Sequence, residues 1–275
     1  MLTKILLITL FLLFPLFLGY YTTFIALISI ILGILTISWH FMEKEIGWVS
    51  FGHSVPFGIA AYLLALNPTL LFLTPFIFLI FLFFSFFGRR LFPFATFIAS
   101  IALWNVSHYF VLNGKGGEEG FGVPFSMSLG NLYTLSMALL LFCYVFFEII
   151  SKSNLGLKIK AVRDDEIAAK SVGIDPIRFK IVGFFFSTTF ASVAGVLHAV
   201  SFSHVSPSVF SPFYALFPFV VSKISFDKRW ACIVGSFVIV SLSHSLSAFL
   251  PETHYILYSV VLMMIAVVKK NAENL

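Results

Sequence analysis

Charge is scarce in this chain: Asp, Glu, Lys and Arg make up 11% of its 275 residues, against 60% hydrophobic residues. With a mean hydropathy of +1.03, too little polar surface exists to coat a water-soluble globule, which leaves an integral membrane protein. Cysteine is nearly absent as well. Cys143 and Cys232 stand alone inside apolar runs, so a disulfide framework or a metal knuckle lacks the residues it needs. No Gly-x-x-x-x-Gly-Lys-Ser/Thr loop occurs, so the chain does not itself cradle nucleotide phosphates by that route, and energy must come from a partner or a gradient. No nucleophile and base with an acidic orienter is evident, so no catalytic residue is assigned. The seven histidines show no firm metal spacing with an acidic partner, and neither a metal nor a cofactor is expected.

Apolar runs are what the chain has in abundance. A span needs about 20 apolar residues, somewhat fewer where flanking groups adapt. Ten candidate spans follow: 4–20, 22–41, 53–67, 69–87, 92–112, 131–150, 178–200, 210–225, 230–249 and 254–268. The expected fold is therefore all-α, a polytopic membrane helix bundle of about ten transmembrane helices forming one transmembrane domain over 1–275. If Lys4 lies inside, sixteen of the 17 Lys and Arg residues fall in inner loops or at inner helix ends, and Lys115 alone lies outside. That one-sided partition follows the positive-inside rule and predicts a multi-pass plasma (inner) membrane protein with both termini cytoplasmic. It also assigns the net charge of +5 to inner loops rather than to a nucleic acid partner. No span so drawn holds a mid-membrane Asp or Glu, which weighs against the alternative class, an ion-coupled carrier or channel for a small polar solute.

The stretch GWVSFGHSVPFGIAAY, Gly47 to Tyr62, puts helix breakers at membrane depth. Broken backbone there is tolerated only where protein or a water-filled cavity covers it, and such segments often line transport pathways. Small residues at these positions equally allow close helix packing. His53 is the histidine singled out, because an intramembrane polar group is a functional candidate by default.

The second informative stretch is RDDEIAAKSVGIDP, Arg163 to Pro176, with its dense charge. Asp164 or Asp165 can cap a short helix from Glu166 to Val172, and Gly173 suits the left-handed position that ends it. Asp175 is a good N-cap and Pro176 a good first helical residue, so the next span starts directly from this loop.

These residues carry a resemblance. GLKIKAVRDDEIAAKSVGIDPIRFKIVGFFFSTTFASVAGVLHA, Gly156 to Ala199, resembles the loop and following span of permease subunits of branched-chain amino acid ABC importers, the LivM type, whose relatives also carry urea and short amides. The Gly47–Tyr62 stretch resembles that family's Gly-x-x-Ser-x-Gly-His segment followed by Phe-x-Gly-Ile-x-Ala-Tyr. Gly116, Gly117 and Gly120 resemble its outer Gly-Gly-x-x-Gly turn. The resemblance implies that a cytoplasmic coupling helix, with Arg163, Asp164, Glu166, Ala168, Ala169 and Gly173, docks on a separate ATPase. It also implies that Ser50, Gly52, His53, Gly58 and Tyr62 belong to the substrate path. Partners implied are ABC ATPase subunits, a second homologous permease, an extracytoplasmic solute-binding protein and lipid, with no nucleic acid. The sequence departs from the family after the eighth span, where Ser222 and Lys223 occupy the place of a usual Gly-Gly turn.

Overall fold

The computed structural model describes residues 19–247 other than 113 and 227, together with 9 and 15. The expected spans 4–20 and 254–268 thus fall almost wholly outside the described residues.

Helix α1 (Tyr20–Phe41) forms the axis of the bundle and is buried along most of its length. An uninterrupted run of Ile, Leu and small residues has no polar face to keep in water, so it sits in the middle of other helices. It continues into a π turn, Met42–Ile46, which Gly47 ends in the left-handed conformation at φ 78°. A non-helical stretch follows, and α2 (Ser54–Leu66) restarts the helix. The break expected over 47–62 is therefore confined to 47–53, and Gly58 and Tyr62 lie within a regular helix.

After Asn67 the chain forms a long 3-10 segment, Pro68–Ile77, and then α3 (Phe78–Ser85). Pro75 lies inside the 3-10 segment and has no N–H to give an α-helical ladder, which accounts for the tighter turn where a plain span was expected. Helix α4 (Phe92–Tyr109) leads to two small antiparallel pairs. Strand β1 (Val111–Leu112) pairs with β2 (Lys115–Gly116), and β3 (Phe121–Gly122) pairs with the distant β4 (His204–Val205). Helix α5 (Leu129–Lys152) passes with only Ser153 between them into α6 (Asn154–Asp164), and α7 (Glu166–Ser171) precedes the 27-residue α8 (Pro176–Phe202). Beyond β4, α9 (Pro212–Ile224) and α10 (Arg229–Ser247) complete the described chain.

Among the described residues, four stretches are long and apolar enough to cross a membrane: Tyr20–Ile46, Pro68–Ser85, Leu129–Lys152 and Pro176–Phe202. Helices α2 and α9 are apolar but have 13 residues each. At about 1.5 Å per residue each is roughly 20 Å long, short of the hydrocarbon core of about 30 Å. Each is therefore shorter than a full crossing and adjoins non-helical backbone. α1 packs against α5, α8, α9 and α10, while α2 lies along α8.

Candidate translocation and coupling site

The broken segment is covered by protein, and hydroxyl-bearing residues of the neighbouring helices satisfy its backbone. Trp39 Nε1 donates to the Ser50 carbonyl at 2.5 Å, and the Phe51 amide donates to Thr96 Oγ1 at 3.2 Å. Ser50 Oγ accepts from the Gly52 amide at 3.1 Å. Where α2 begins, Ser54 Oγ meets Ser100 Oγ at 2.6 Å, and Ser100 Oγ donates to the Phe210 carbonyl at 2.8 Å. Buried backbone polar groups need partners, and small hydroxyls on apolar helices supply them here. Ser38, Thr96, Ser100 and Ser187 are the residues that the sequence reading missed. Their signal was a hydroxyl inside an otherwise apolar span.

His53 is fully buried; its Nε2 lies 3.1 Å from Ser187 Oγ, which donates to the Ser38 carbonyl at 2.8 Å. Gly52 and Gly58 sit where no side chain fits. A Cβ on Gly52 would lie 2.1 Å from the Thr96 carbonyl oxygen, and one on Gly58 would lie 2.3 Å from the Phe210 ring. Tyr62 stacks at a tilt on Phe210 with centroids 5.5 Å apart, and reaches Phe121 of β3 at 5.9 Å. Gly116, Gly117 and Gly120 all have positive φ, and a Cβ on Gly120 would lie 2.1 Å from the Val205 carbonyl oxygen. The glycine-rich turn is thereby pressed onto β4 and, through Phe121, onto Tyr62.

The loop over 163–176 forms as its caps dictate. Asp165 accepts from the Ile167 and Ala168 amides at 2.8 and 3.0 Å, Asp175 accepts from the Ile177 amide at 3.0 Å, and Gly173 has φ 82°. Helix α7 ends at Ser171. Its faces are unequal. Ala169 is 3% exposed and packs into the chain itself, whereas Ile167 is 84% exposed and Ala168 and Gly173 are also open. Ala169 is thus unavailable for contact with another protein.

The charges of the loop are largely used inside the chain. Glu166 pairs with Lys180 Nζ at 2.7 Å and lies 3.7 Å from Arg89. Both cations also cover the ring of Trp48, Lys180 at 5.2 Å and Arg89 at 5.8 Å. Arg163 pairs with Asp164 at 2.7 Å and donates to the Lys44 carbonyl, while Arg89 donates to the Arg163 carbonyl at 2.9 Å. Gly47 makes room for this: a Cβ there would lie 2.3 Å from Arg163 Cγ.

The π turn collects the rest. Glu45, 8% exposed in its side chain, binds Arg229 of α10 at 2.9 Å, Lys160 of α6 at 3.1 Å and the Ser151 hydroxyl at 2.7 Å. Arg229, 6% exposed, also reaches Glu148 at 3.3 Å. Glu43 pairs with Lys223. The Lys223 that departs from the family pattern therefore holds an ion pair that ties α9 to the π turn.

At the opposite end of the bundle lies a cavity of about 400 Å³, with walls from α1, α4, α9, α10 and the segment after β4. None of Ser50, Gly52, His53, Gly58 or Tyr62 is among its walls.

A bundle of apolar helices with a covered break in one of them, one charged end and a half-exposed linker helix at that end is the architecture of a polytopic membrane protein. The chain belongs to the family described as branched-chain amino acid transport system, permease component, which matches residues 21–267. It is similar to the high-affinity branched-chain amino acid transport system permease protein LivM of Salmonella typhimurium, with 33% identity over 125 residues, 44% of this chain and 29% of that protein. The protein of the same name from Escherichia coli is 32% identical over 125 residues. The matched stretch thus spans less than a third of these curated relatives. No solved structure matches the chain.

Proposed function

We propose that this chain is the transmembrane permease subunit of an ABC importer, that it forms a translocation path for branched-chain or related amino acids, and that a separate ATPase drives it. One observation carries the reading. The exposed helix α7 is wired through Glu166, Lys180 and Arg89 to Trp48, in the broken segment at the heart of the bundle. A push on α7 from a cytoplasmic partner would reach Trp48 through one carboxylate and two cations. Through α6, Arg163 and Lys160 it would also reach the π turn. The partners in this reading are ABC ATPase subunits on α7, a second homologous permease and an extracytoplasmic solute-binding protein. Ser50 and His53 are the polar groups of the break assigned to the path, acting through rearrangement of the covered segment. The family match to a transport permease supports this assignment over an ion-coupled carrier, and among the described residues the buried Glu45 and the partly buried Glu43 lie at the charged end, paired with cations.

Copurification after mild solubilisation tests it. An ATPase and a second permease should elute with this chain, and the reconstituted assembly should take up leucine only with ATP. Uptake driven by an ion gradient without ATP would overturn the assignment.

A further inference from the structure

We infer that the cavity at the end opposite the charged hub is a binding site for the carboxylate of a small aliphatic amino acid, with the N-terminus of α9 as its anion-binding element. This rests on the permease reading above and names where the solute would be held. Helix α9 begins at Pro212, and at roughly 20 Å it cannot reach across a core of about 30 Å, so if its Lys223 end lies at the inner surface its first turn lies within the bilayer depth. The first-turn amides of a helix have no intrahelical acceptor and carry the positive end of the helix dipole. No side chain caps them here. Within hydrocarbon depth such a helix end needs a partner, and an oxyanion is the group it suits best.

A second, independent observation points the same way. Ser211, the residue preceding α9, is 7% exposed, lines the cavity, and its hydroxyl has no hydrogen-bond partner among the described residues. Nearby, Tyr214 Oη meets His198 Nε2 at 2.8 Å, leaving His198 Nδ1 buried without a partner beside an adjoining cavity of about 310 Å³. Among the described residues the walls give the site hydroxyls and imidazoles, His244 included, but no carboxylate. Ile28, Leu32 and Val240 make the other wall largely apolar, with Ser243 and His244 beyond Val240 on α10. A volume of about 400 Å³ falls in the range of about 300–1,000 Å³ usual for small-molecule sites. Such a site recognises a carboxylate attached to an aliphatic chain and offers an ammonium group only neutral acceptors.

The test uses the purified permease–ATPase complex without a solute-binding protein and reads its melting temperature with millimolar leucine, isocaproate (leucine without its amino group) or isoamylamine (leucine without its carboxylate). Ligands that bind only the folded complex raise that temperature. Leucine and isocaproate should raise it and isoamylamine should not. Ser211→Asp should fold, since Asp is a good N-cap, but its own carboxylate would take the amides and repel the ligand. It should abolish the shift and lower leucine uptake by roughly tenfold or more. Ser211→Asn, a neutral cap of similar size, should keep more of both. An equal shift with isoamylamine, no shift with any ligand, or an unchanged response in Ser211→Asp would overturn the site. Absence of leucine uptake by the full importer would instead overturn the permease reading, whatever the melting data show.

Discussion

Arg229 and Glu45 illustrate how much of this molecule rests on a few charges in an oily chain. They are 184 positions apart, and no local rule pairs them. The sequence reading could place Lys and Arg at inner helix ends, because that follows from counting, but it could not see which acid each would meet. Removing one partner of a buried ion pair leaves an uncompensated charge and costs about 3–5 kcal/mol, whereas an exposed pair is worth about 0–1 kcal/mol. Arg229→Leu should therefore lower the melting temperature of the detergent-purified protein markedly. Lys152→Ala, which removes an exposed partner from Glu148, should leave it nearly unchanged. Equal melting temperatures for the two variants would show that the Glu45–Arg229 cluster does not hold the charged end together. The glycines teach a related lesson. Gly52 and Gly58 were legible as unusual at membrane depth, yet whether they bordered a channel or a neighbouring helix depended on Thr96 and Phe210, which are remote in sequence.

At the scale of single elements, local chemistry was the most legible. The caps at Asp165 and Asp175, the proline at Pro176 and the left-handed Gly173 involve residues within a few positions of each other, so the sequence carries them whole. Helix α6 was not legible in this way. It lies between the expected spans 131–150 and 178–200 and so counted as an inner loop, and the stretch becomes helical because Ser153 caps it and Ile159 and Val162 are buried. The orientation of α7 was hidden too, since a helix of six residues has too little periodicity to show which alanine faces inward. That orientation separates two variants. Ala168→Trp places bulk on the open face and should weaken ATPase copurification and transport while the permease melts normally. Ala169→Trp forces bulk into the chain's own packing, where overpacking costs about 1–3 kcal/mol, and should lower the melting temperature as well. Identical behaviour of the two would mean that α7 has no distinct docking face.

For the whole molecule, the hydropathy pattern located apolar helices among the described residues but not how long each would be. The apolar runs at 53–67 and 210–225 have the composition of full crossings, yet α2 and α9 are short because the chain spends neighbouring residues on non-helical backbone. Sidedness is a stronger signal, because it draws on residues spread along the entire chain. The structure brings Lys44, Arg89, Lys160, Arg163, Lys180, Lys223 and Arg229 to one end through shared contacts. Lys115 instead lies in the β1–β2 pair beyond the far end of α4. We propose, from the positive-inside rule, that the charged end is cytoplasmic, which would set α7 toward the compartment that holds ATP and the cavity beside α9 toward the other side. Cys143 and Cys232 are buried and should give little background to a membrane-impermeant maleimide applied to intact cells. Lys115→Cys, at an exposed position, should then be labelled directly, and Lys170→Cys, exposed on α7, only after the membrane is permeabilised. Labelling of Lys170→Cys in sealed cells would put the coupling helix on the wrong side of the membrane and remove the physical basis for an ATPase contact there.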